Sequence, residues 1–96
     1  MLCSIGPGTA APAATPTTHT VVMESVSFQP QVLTIRLGDS VVWLNKDPFP
    51  HTATSGAFDS KVIAAEGSWR HTPKASGELP YVCLLHPTMK ATLLVQ

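Results

Sequence analysis

The stretch YVCLLHPTMK, residues 81–90, sets a cysteine, a histidine and a methionine three positions apart: Cys83, His86 and Met89. A period of three allows two readings. One is a helical turn packed into a core; the other is a loop that gathers three donor atoms. The flanks favour the loop. LPYVC (79–83) has the composition of a strand, and Pro87 disfavours the helical conformation at His86. ATLLVQ (91–96) then reads as a closing strand, so the stretch joins two strands.

The rest of the chain agrees. Val32, Thr34 and Arg36 alternate with Leu33, Ile35 and Leu37, the period of two that a half-buried strand requires. Turn signals stand at QPQ (29–31), LGDS (37–40) and NKDPFP (45–50). Pro48 and Pro50 exclude a central strand from the last of these. Further on, Gly56, Gly67, Pro73, Gly77 and Pro80 divide short segments, and nowhere does a dozen residues carry a helical stripe. Short strands at close spacing predict an all-β fold, a β-sandwich. Trp43 and Trp69 are expected in its interior or at its edge, each needing an acceptor for its indole N–H. Residues 6–18, GPGTAAPAATPTT, hold no large apolar side chain and read as an extended tether. The expected organisation is a flexible leader over 1–18 and one domain over 19–96.

Composition narrows the function. Six basic and six acidic residues balance, and charged residues are 12% of the chain, so no basic stripe exists for nucleic acid or an anionic membrane. No apolar run reaches the roughly 20 residues of a membrane span. No paired carboxylates, nucleophile elbow or phosphate-binding glycine loop is present, and the chain is not expected to be an enzyme. Asp47, Asp59, Glu66 and Glu78 fall among turns and read as solvated charges; His19 and His71 read as surface residues. Of the two cysteines, Cys3 precedes the tether and is a candidate lipid-bearing residue of an exported protein, periplasmic or on an outer surface. A Cys3–Cys83 disulfide would tie a floppy leader to the last hairpin, poor use of a cross-link.

The donors themselves carry the chemistry. Thiolate, imidazole and thioether are soft ligands that select copper when the ion must be stable as both Cu(I) and Cu(II). His51, just after the rigid DPFP segment, is the best fourth donor. Two imidazoles and a thiolate with a long axial methionine form the electron-transfer copper site. Zinc is the chief competitor, although a structural zinc site would favour further Cys or His over Met.

GDSVVWLNKDPFPHTATS (38–55) and LPYVCLLHPTMKATLLV (79–95) resemble the cupredoxins, the small blue copper proteins, with amicyanin the nearest subgroup and plastocyanin and pseudoazurin more distant. The resemblance covers residues 20–96. It implies a Greek-key β-sandwich with one type 1 copper at one end, held by His51, Cys83, His86 and Met89. It implies a one-electron carrier, with storage, delivery or resistance as the alternative use of the copper. Redox protein partners would dock on an apolar patch of Phe49, Pro50, Leu85, Pro87 and Pro48 around the His86 edge. A monomer is expected.

Two departures from the family pattern bear on the site. Thr52 stands where an asparagine commonly ties the two ligand loops. Leu85 stands where amicyanin has a proline, so its N–H is expected to donate to the Cys83 sulfur and raise the reduction potential. Leu85→Pro would then lower that potential.

Overall fold

A computed structural model describes residues 15–96; Cys3 and most of the expected leader lie outside the described residues. The described residues form seven strands in order: β1 (Thr18–Met23), β2 (Phe28–Gln29), β3 (Val32–Ile35), β4 (Ser40–Asn45), β5 (Ser68–His71), β6 (Gly77–Cys83) and β7 (His86–Val95). Among the described residues there is no helix, and hence none long and apolar enough to cross a membrane. The strands form two mixed sheets, ordered β2-β1-β4-β5 and β3-β7-β6. β1 runs parallel to β4 and β3 parallel to β7. The other pairings are antiparallel.

Alternation produces the core. Along β7, Met89, Ala91, Leu93 and Val95 are buried while their neighbours are not. They meet Val21 and Met23 of β1, Val41 and Trp43 of β4, and Tyr81 and Cys83 of β6 in one apolar cluster. Trp43 is wholly buried and faces Trp69 across the β4–β5 pair, with ring centroids 5.5 Å apart. Tyr81 stands edge-on to it at the same separation. The Trp43 indole N–H makes no hydrogen bond of standard geometry, though it acts on the neighbouring Tyr81 hydroxyl and partly offsets the effect of that group's burial. Burial pushes the Tyr81 hydroxyl up to about 12.

The 46–67 connection contains no strand yet is held at several points. His51 and Ile63 exchange both backbone hydrogen bonds, at 3.1 and 2.8 Å, and Thr54 and Val82 exchange theirs at 2.9 Å each. The Thr54–Val82 pair stitches this connection to β6. It thereby brings residues 51–52 alongside Cys83. At the far side of Cys83 the chain turns through Leu84 and Leu85 directly into β7, with a break in register between Val82 and Cys83.

Candidate metal centre

His51, Cys83 and His86 converge at one end of the sandwich, their donor atoms all within 4.8 Å of one another. Cys83 Sγ lies 3.6 Å from His51 Nδ1 and 3.7 Å from His86 Nδ1. Metal bonds of about 2.3 Å to sulfur and about 2.0 Å to imidazole nitrogen, opened by roughly 110–120°, leave the two donors about 3.5–3.7 Å apart. The spacing therefore fits one ion of transition-metal size between the three atoms. His51 and Cys83 are fully buried, and His86 is partly exposed. Met89, three residues along β7 from His86, is also buried.

Each donor is held by its own element. His86 opens β7 and Cys83 ends β6, so the tight turn between them fixes their separation. His51 is held from outside the cluster. Its Nε2 lies 2.7 Å from Asp47 Oδ2. With Nδ1 facing the sulfur, the ring proton belongs on Nε2 and donates to the carboxylate, the usual arrangement for a metal-binding imidazole. Asp47 in turn accepts the amides of Ser25 at 2.8 Å and Val26 at 2.9 Å. Burial alone would raise its pKa, but the His51, Val26 and Ser25 donors outweigh that and hold it below the ordinary carboxylate range. Asn45 shapes the intervening loop: its Nδ2 donates to the carbonyls of Phe49 and Ile63, and its Oδ1 accepts the Asp47 amide.

This corrects one sequence expectation. Asp47 is not a solvated turn charge; it is buried because its partners close around it. Asp59, Glu66 and Glu78 are exposed as expected. A second correction concerns the sulfur. Among the described residues its amide donor is Thr52, at 3.3 Å, rather than Leu85. The Thr52 hydroxyl also accepts the Leu84 amide at 2.9 Å. The tie between the two loops is thus rebuilt on threonine: its backbone holds the sulfur and its side chain holds the turn.

The patch residues named from sequence, Pro48, Phe49, Pro50, Leu85 and Pro87, are all exposed. Leu84, which sequence reasoning left out, is also an exposed apolar residue of the Cys83–His86 turn, at 59%. Phe49 packs near both histidine rings, with centroids 5.4 Å from His51 and 5.5 Å from His86. His19 and His71 lie outside the donor cluster. Burial and the nearby Lys74 hold the His71 pKa below its ordinary value, and its ring stacks on Trp69.

Comparison with known proteins agrees with this architecture. The sequence profile of the cupredoxin-like domain matches residues 2–95. Amicyanin of Paracoccus versutus is 26% identical over 83 residues, an alignment covering 79% of this chain and 63% of that protein. The chain therefore spans less than two thirds of that relative. Among solved structures, a Cu(I) form of an amicyanin mutant superposes with a TM-score of 0.78 at 22% identity, covering 92% of this chain and 90% of that one. A purple cupredoxin from Nitrosopumilus maritimus gives a TM-score of 0.75 at 21% identity, covering 81% and 99%.

Proposed function

The chain belongs to the cupredoxin-like family, and on that premise we propose that it is a one-electron carrier rather than an enzyme. Its cofactor is a single type 1 copper, which supplies a Cu(II)/Cu(I) couple. His51, Cys83 and His86 would hold it, with the Met89 thioether as the fourth donor. The observation that carries this reading is the Cys83 sulfur standing 3.6 and 3.7 Å from two imidazole nitrogens. A thiolate between two imidazoles, with the buried thioether of Met89 three residues along the strand from His86, matches the donor set of electron-transfer copper.

The surrounding residues suit electron transfer. His51 and Cys83 are closed to solvent, while His86 is partly exposed beside Phe49. His86, the one partly exposed donor, would give a redox protein docked on the apolar patch its shortest path to the couple. The Thr52 tie and the Asp47 carboxylate hold the donors in place through a change of charge, which keeps reorganisation small. The protein acts as a monomer in an exported compartment.

The test is voltammetry of protein loaded with one equivalent of copper. A reversible one-electron response, with Cu(I) retained against a competing chelator, is expected. An irreversible response with rapid surrender of Cu(I) would sink the carrier reading in favour of delivery.

A further inference from the structure

The hairpin turn between β1 and β2 is built from residues that do not favour it. Glu24 and Ser27 exchange backbone hydrogen bonds at 3.0 and 3.2 Å, and both central residues have positive φ, 57° at Ser25 and 54° at Val26. That is the hand of a type I′ turn, for which Asn-Gly is the favoured pair. A β-branched residue at positive φ is a conformational outlier. Such outliers persist only where surrounding structure over-determines them.

What holds this one is Asp47. Its Oδ1 accepts the Ser25 amide, and its Oδ2 accepts both the Val26 amide and the His51 Nε2 proton. One buried carboxylate oxygen is thus shared between a strained turn and a metal-facing imidazole. We infer that Asp47 is a positioning residue that makes the Ser25–Val26 turn part of the metal centre. Ordering the His51 ring fixes the carboxylate, and the fixed carboxylate fixes the turn. By reciprocity, whatever loosens the turn loosens His51. The inference rests on His51 being a ligand, as proposed above.

Asp47→Asn is the direct probe. An amide group at the shared oxygen presents N–H to two donors; flipped, it presents N–H to Ser25 instead. Because this variant is expected to be weakened, it is also made together with Ser25→Asn and Val26→Gly, which give the turn its own preference. Backbone amide exchange is followed by NMR in the full chain, metal-free and loaded with Cu(I), together with the His51 ring resonances.

In the natural sequence, Cu(I) is expected to slow exchange at Ser25 and Val26 at least tenfold while shifting the His51 ring. In the triple variant the ring still shifts and the slowing is lost. The Cu(I)/Cu(II) affinity ratio also rises about tenfold, the lower end for loss of an outer ligand partner, equivalent to about 59 mV for one electron. A shifted ring with turn amides that respond equally in both proteins, or in neither, overturns the inference alone. A His51 ring unmoved by Cu(I) overturns it together with the ligand reading.

Discussion

The two ends of the parallel β1–β4 pair carry the same motif with different consequences. At one end His19 Nε2 lies 3.0 Å from Asp39, whose carboxylate gathers the amides of Thr17 and Arg36. At the other, His51 Nε2 lies 2.7 Å from Asp47, whose carboxylate gathers those of Ser25 and Val26. In both, an aspartate anchors a turn and a histidine. They differ in what faces the other ring nitrogen. His51 Nδ1 meets the Cys83 sulfur brought in by the β6–β7 hairpin, whereas among the described residues His19 belongs to no donor cluster. His51 is also wholly buried, while the His19 side chain is 25% exposed. An aspartate–histidine pair is therefore scaffolding. It becomes a candidate metal centre only where a second, remote piece of chain supplies soft donors and closes off water.

The sharpest break in the comparison is between the histidines. His51→Ala should lower Cu(II) affinity by more than about 100-fold, exceeding the range for loss of an outer-shell partner, while His19→Ala leaves affinity unchanged. Competitive titration against a chelator checks both; equal effects would erase the distinction.

A smaller effect is expected at the loop tie. Thr52→Val keeps shape but removes the acceptor of the Leu84 amide, costing about 1–3 kcal/mol of stability. Denaturant unfolding of the metal-free protein measures it, and a value near zero would mean that water replaces the hydroxyl.

At the far end the effect is confined to acid. The Thr17 amide first, then His19 and the Arg36 amide, hold the Asp39 pKa at about 2, against 3.8 for an unperturbed aspartate. A depressed carboxylate contributes stability above its unfolded pKa and loses it as pH falls from about 4 towards 2. Asp39→Asn should therefore lower stability at neutral pH and flatten the unfolding curve across that acid window, with the reduction potential unmoved. A stability profile parallel to that of the natural sequence would contradict this.

Least affected should be Leu85→Pro. Since the sulfur takes its amide from Thr52, losing the Leu85 N–H should leave the potential essentially unchanged. A clear fall would restore the donor expected from sequence.

The pattern of agreement has a physical origin. Strands were legible where side chains alternate, as over 32–37, of which Val32–Ile35 forms β3, and Pro87 disfavoured a helical turn at 83–89. His51 was legible as a candidate donor just after the DPFP segment, but what brings it beside Cys83 is the backbone pairing of Thr54 with Val82, which no local pattern announces. The roles of Asp47 and Thr52 were not legible, because their partners are far away in sequence: Val26 is 21 residues from Asp47, and Cys83 is 31 from Thr52. Local pattern gives an aspartate in a Pro-containing turn as solvated, and only the folded contact reverses that. The signal that was available was NKD itself. Asn and Asp two apart in a turn often bond their own backbone, and here Asn45 does so to the Asp47 amide.

The central claim is that the Cys83 sulfur is bonded to a redox-active ion between two imidazoles. It is tested most directly by optical and EPR spectra of the Cu(II)-loaded protein beside its Cys83→Ser variant. The account predicts an intense visible sulfur-to-copper band and narrow copper hyperfine splitting in the natural sequence, both abolished by the substitution. Survival of that band in the serine variant, or its absence from the natural protein, would contradict it.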